Sequence, residues 1–196
     1  MREVTMRVAI LSAAAVVGLV LASSAYRIGA QGVTATPSAQ TADSGIPLPS
    51  GYRSWELISV AAVGPPISDV RAKLGNDIAM SDIRQGTIPY RDGAIIARLA
   101  WKQTSDPQTS NALQMQAQAA GLRPETIAKA LSQTFVAGPA TNVQFMVKDS
   151  KKYASTGGWG FAQFTNGKPD AILQQTCYAC HAPAKATDLV FTHYSP

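Results

Sequence analysis

Two cysteines and two histidines are all that 196 residues carry. So small a supply leaves room for one disulfide at most, and a four-ligand zinc site of Cys and His would need every one of them. Charge is sparse as well: 15% of residues are charged, with 17 basic against 12 acidic and a formal net charge of +5. No basic-aromatic pattern accompanies that excess, so nucleic-acid binding is not expected. Lys148, Lys151 and Lys152 form a small basic cluster, which reads as a solvated face. A mildly basic surface would suit an acidic redox partner protein. There is no internal repeat. The long apolar run, Val8 to Ala22, falls short of the roughly 20 residues a membrane-spanning helix needs.

Against this background one stretch stands out, Cys177-Tyr178-Ala179-Cys180-His181. Cys-x-x-Cys-His is the attachment signal for a c-type haem. On a helix, residues three apart lie on one face. Two thiols on that face can each add across one haem vinyl group, and the histidine that follows places an imidazole beneath the iron. Cys177 and Cys180 are therefore read as covalent anchors of one haem c and His181 as its axial iron ligand. The competing readings are a thiol redox pair, which belongs near a βαβ pattern that is lacking here, a zinc site with His193 as the remaining ligand, and a simple disulfide.

The N-terminus supports the haem reading. Arg2 and Arg7 precede the apolar run, and Ser23-Ser24-Ala25 supplies small residues for cleavage. This is a secretory signal pattern over residues 1–25, with cleavage after Ala30 as second choice, and it places the mature chain in the periplasm. Residues 26–50, rich in small and polar residues and proline, read as a flexible leader. A domain over 51–196 follows.

Within that domain, strands are expected at Trp55–Val63, Asp69–Leu74, Ala94–Lys102, Val143–Lys148, Gly157–Phe164 and Leu189–Thr192. Helices are expected at Ser110–Ala120, Glu125–Thr134 behind Pro124, and Ile172–His181. Gly75-Asn76-Asp77 and Gly138-Pro139 read as breaks. In the third strand Ile95, Ala97, Leu99 and Trp101 share one face, and Ile96, Arg98, Ala100 and Lys102 the other. The small residues Gly158, Gly160 and Ala162 share a face that would admit either another backbone or a flat ligand. Strands divided by turns, with helices in the middle and near the end, make the fold α+β.

Several short motifs resemble the cytochrome P-460 family: Tyr52-Arg53-x-Trp55, Arg91-Asp92-Gly93, Val147-Lys148-Asp149-Ser150-Lys151, Gly158-Trp159, the haem motif, and Asp188-Leu189-Val190-Phe191-Thr192. The resemblance spans nearly all of the chain after residue 50. It implies an antiparallel sheet with flanking helices, one haem c per chain on a C-terminal helix, His181 as proximal ligand, a distal side lined by the sheet, and a homodimer. Two branches of the family differ in activity. One oxidises hydroxylamine at a haem cross-linked to a lysine; the other, cytochrome c-prime-beta, binds gases such as nitric oxide and carbon monoxide.

Compared with the enzyme branch, Arg98 stands where the cross-linking lysine is expected and Gln144 where a distal carboxylate is expected. A guanidinium is a poor nucleophile, and an amide is no general base at neutral pH. Lys102 shares the strand face of Arg98 but lies roughly 13 Å along it. Arg98 could hold a haem propionate or an anionic ligand, or be a solvated arginine. Of Phe145 and Met146, alternation lets only one face the distal side: Phe145 would make a dry gas site, Met146 a sixth iron ligand. Met80 and Met115 are weaker sixth-ligand candidates. His193 reads as a surface residue, and Lys185 and Asp188 as a pair or haem-edge contacts. Three functions follow: ligand binding at an open iron, oxidation of hydroxylamine or a related nitrogen compound, and periplasmic electron transfer.

Overall fold

A computed structural model describes residues 45–172 and 174–195. The expected signal segment and most of the expected leader lie outside the described residues. Six strands form one antiparallel meander in chain order: β1 (Glu56–Val63), β2 (Asp69–Gly75), β3 (Ile95–Thr104), β4 (Val136–Lys148), β5 (Trp159–Thr165) and the short β6 (Lys168–Pro169). Helix α1 (Asp77–Gln85) joins β2 to β3, and the pair α2 (Pro107–Ala119) and α3 (Pro124–Ser132) joins β3 to β4. Helix α4 (Gln174–His181) carries the haem motif and runs into a 3-10 segment, Ala182–Thr187. Among the described residues no helix is long and apolar enough to cross a membrane.

Alternation along the strands builds two cores. Ala97, Leu99, Val143, Phe145, Ala162 and Phe164 pack on one face, with Ile46 and Tyr153 laid over them. Ile46 is buried, so packing of the domain reaches back to that residue. The other face carries Ile96 and Phe161, and against it pack α1 and the C-terminal segment through Met80, Leu189 and Val190.

Four readings of the sequence change. Gly75-Asn76-Asp77 is a helix start: Asn76 caps α1, its Oδ1 accepting from the Ala79 N–H, and Gly86 closes the helix in a left-handed conformation. Gly138-Pro139 does not break the chain, because β4 runs through it. Its ladder with β5 begins only at Val143, so the missing proline N–H lies where β5 needs no donor. Leu189–Thr192 is not a strand. Asp188 and Leu189 have φ of 51° and 67°, a left-handed pair that no β-ladder accepts. The small face of β5 takes a side chain rather than a flat ligand: a Cβ on Gly160 would meet the Tyr153 ring at 2.3 Å.

The motifs Arg91-Asp92-Gly93 and Asp149-Ser150 lock the loops together. Arg91 donates through its backbone N–H (2.9 Å) and Nε (2.5 Å) to the fully buried Asp82. Asp92 accepts from the Ser150 N–H (2.7 Å) and Oγ (2.8 Å), and Gly93 donates to the Lys148 carbonyl.

Candidate haem site

The second face of the sheet and α4 enclose a cavity of about 540 Å³, the size of a small-molecule site. The haem helix is fixed to the sheet by one side chain. The Gln174 carboxamide accepts from the Phe161 N–H at 2.7 Å and donates to the Phe161 carbonyl at 2.5 Å, as a neighbouring strand would. That clamp sets the helix so that Cys177, Cys180 and His181 all line the cavity. No disulfide joins the two cysteines; Cys180 is exposed and Cys177 half-buried. Burial pushes the Cys177 thiol up from its ordinary pKa, and the neighbouring Cys180 adds to the shift.

His181 stands between the rings of Phe161 and Phe191, with centroids at 5.2 and 5.1 Å. Its Nδ1 lies 2.8 Å from the Leu189 carbonyl. A carbonyl only accepts, so Nδ1 carries the proton and the Nε2 lone pair is left for a metal. Among the described residues no cluster of three or more His, Cys, Asp or Glu side chains forms a protein-only metal site, so His181 would need a prosthetic group to complete its coordination.

The facing wall comes in two rows across the sheet. One pairs Ile96 with Met146 and Met146 with Phe161. The next pairs Lys73 with Arg98, Arg98 with Gln144 and Gln144 with Gln163. Arg71 joins them at the cavity edge. Asp69 is the hub of the polar end. It accepts from Arg71 Nε and an Arg71 terminal nitrogen (3.0 and 2.7 Å) and from Arg98 (2.5 Å). Three cationic groups thus face one carboxylate, and the excess is positive. Burial holds both Lys73 and Arg98 below their ordinary pKa values, with cationic neighbours adding to the effect and Asp69 opposing it.

Gln144 is committed on both sides. Its Oε1 accepts from Arg98 at 3.1 Å, and its Nε2 donates to Gln163 Oε1 at 2.6 Å; Gln163 in turn donates to Asp170 at 2.8 Å. Arg98 only donates and the Asp170 carboxylate only accepts, so both amides have one orientation.

The other sequence candidates fall as follows. Phe145 touches the cavity wall, yet its side chain is buried in the opposite core, edge-on to Tyr52, Trp55 and Phe164. Met146 is the one of the two that packs on the cavity side. Met80, on α1, is buried in the core against the sheet and Met115 is 70% exposed on α2; neither lines the cavity. Lys102 and His193 are exposed, away from it. Lys148 is not a solvated residue: it is 5% exposed and paired with Asp188, which is therefore partnered by Lys148 and not by Lys185. Sequence reading missed Lys73, Arg71 and Gln174. The first two were findable, because residues two apart on a strand share a face, and a repeated cation on β2 signals a charged wall. Gln174 carried no signal, since its role depends on where β5 lies.

The residues fit a haem c. Two thiols and an imidazole with a free Nε2 share one cavity, the apolar row suits a macrocycle, and the positive end suits two propionates. None of the curated proteins matches the chain. A sequence model of the family Cytochrome P460 matches residues 49–192. That is most of the chain, spans the sheet, the cavity wall and the haem motif, and implies a haem c cofactor: the chain belongs to the cytochrome P460 family.

Proposed function

We propose that this chain is an exported, periplasmic cytochrome with one covalent haem c, which binds a small ligand such as nitric oxide at an open axial position of the iron. Cys177 and Cys180 hold the haem by thioether bonds, and His181 Nε2 is the proximal ligand. When bound, the haem supplies a redox-active iron with one free coordination position. Arg71, Lys73 and Arg98 take up the propionate charge, and Ile96 and Met146 keep water from the face opposite His181, while Phe161 packs beside the imidazole.

The observation that carries the reading is the composition of that facing wall. Two of its polar side chains are already engaged, Arg98 by Asp69 and Gln144, and Gln144 by Arg98 and Gln163. Among the described residues no carboxylate lines the cavity as general base, and the guanidinium at residue 98 is no cross-linking nucleophile. The two positions that the enzyme branch uses are therefore changed, which weighs against hydroxylamine oxidation; Lys73, paired with Arg98 on the cavity wall, is the amine that reading would need. The electron-transfer reading keeps one observation in its favour, the cavity-facing Met146, whose thioether is a known type of axial ligand. The homodimer is part of the proposal; β1, an edge strand with Leu57 and Val60 exposed, offers it an apolar strip.

The test is a nitric oxide titration of the reduced, haem-loaded protein beside Met146→Leu. Ligand binding with equal affinity in both supports an open site. Binding that appears only in Met146→Leu identifies Met146 as sixth ligand and replaces the proposal with electron transfer. Turnover of hydroxylamine with an electron acceptor replaces it with the enzyme reading.

A further inference from the structure

We infer that Lys148 and Asp188 are positioning residues for His181, acting through a strained turn that aims one carbonyl at the imidazole. The inference rests on the reading of His181 as axial ligand. Lys148 Nζ lies 2.8 and 2.7 Å from the two Asp188 oxygens and 3.3 Å from the Gly157 carbonyl, and 5.0 Å from the centre of the Trp159 ring. The two side chains are 5% and 10% exposed. Asp188 Oδ2 also accepts from the Tyr90 N–H at 2.8 Å. The carboxylate is thus anchored to β4 and to the loop before β3, two parts of the sheet scaffold.

What the anchor holds is the left-handed pair Asp188–Leu189. A left-handed conformation is unfavourable for a residue with a Cβ, and leucine lacks the short polar side chain that eases it in Asp or Asn. The turn survives because its surroundings overdetermine it. Asp188 N–H donates to Lys185 and Leu189 N–H to Ala184, at 3.2 and 2.9 Å. Leu189 is buried against Gly157, where an added Cβ would lie 2.9 Å from its Cδ1. The product of this turn is the Leu189 carbonyl, 2.8 Å from His181 Nδ1. A carbonyl accepting the Nδ1 proton fixes the tautomer and makes the imidazole a stronger donor to its metal. The ion pair, remote from the cavity lining, therefore sets the strength of the iron–histidine bond and with it the potential of the iron.

A pair that only stabilises the fold would leave that bond alone, so the test reads the bond. Haem-loaded Lys148→Met, Lys148→Arg and Asp188→Asn are compared with the native protein by the iron–histidine stretch in resonance Raman spectra of the reduced, ligand-free state, and by midpoint potential. Phe145→Ala, on the opposite face, serves as a destabilised control. The expected result is a lower stretching frequency and a higher potential in Lys148→Met and Asp188→Asn, recovery toward native values in Lys148→Arg, and no shift in Phe145→Ala. Native frequency and potential in both Lys148→Met and Asp188→Asn would overturn the inference even if both were less stable. Should Lys148→Met fail to fold, Asp188→Asn, which keeps an oxygen for the Tyr90 N–H, carries the test alone. Absence of an iron–histidine band in the native protein would instead sink the reading on which the inference rests, a five-coordinate iron with His181 as its axial ligand.

Discussion

Replacing Phe145 by alanine separates the two faces of the sheet. Phe145 is 1% exposed and makes three edge-to-face contacts, with Tyr52, Phe164 and Trp55 at 5.3, 5.9 and 6.4 Å between centroids. Truncating a buried phenylalanine costs about 3–5 kcal/mol from lost transfer energy and the cavity left behind. The site has little freedom to collapse, since aromatic partners bound it and the sheet backbone closes it below, so the loss belongs in the upper part of that range, about 4–5 kcal/mol. For a domain of this size each kcal/mol is worth roughly 2–4 °C in melting temperature, so a drop of roughly 8–20 °C follows. The assay is urea and thermal unfolding of haem-loaded protein, paired with the optical change on nitric oxide binding. Stability should fall while the ligand spectrum stays native. A loss below about 2 kcal/mol, at the bottom of the usual range for core truncations, or a ligand spectrum displaced from native, would refute the assignment of Phe145 to the opposite core.

Three more outcomes are expected. Asp69→Asn leaves Arg71 and Arg98 without their shared carboxylate; breaking a buried pair costs about 3–5 kcal/mol, and since the arginines are 20% and 22% exposed the denaturant midpoint should report the low end of that range. Gly160→Ala drives a methyl into the Tyr153 ring and should cost about 1–3 kcal/mol by overpacking, with Tyr153→Leu restoring part of the loss in a double-mutant cycle. Tyr90 is pushed up to about 12 by burial, with Asp188 and Asp82 adding to it. Its phenol stays protonated in the fold while the unfolded chain ionises near 10, so its contribution is full below pH 10 and is lost as pH rises toward 12; ultraviolet titration should show a late-ionising tyrosine that is absent in Tyr90→Phe.

The alternation of β3 and β4 was legible because each strand is half-buried on two different cores: odd residues from Ile95 to Trp101 pack on one, Ile96 and Arg98 face the other. The haem motif was legible because its spacing is local chemistry. Helix α1 was missed although Asn76, Asp77, Arg84 and Gly86 are ordinary start and stop signals; three turn-forming residues in a row concealed them. The turn at Asp188–Leu189 was not legible, because leucine gives no sign of a left-handed backbone and only the Lys148 pair and Gly157 explain it. Lys148 looked solvated for a similar reason: its partner lies 40 residues away in sequence.

The optical spectrum of the haem-loaded, reduced protein before and after nitric oxide tests the central claim most directly. An ordinary high-spin ferrous haem c spectrum that shifts on adding nitric oxide is the result predicted by the proposal, in which His181 supplies one axial ligand and the position opposite stays open. Sharp low-spin bands indifferent to nitric oxide, or a strongly red-shifted Soret band from a modified haem, would contradict it.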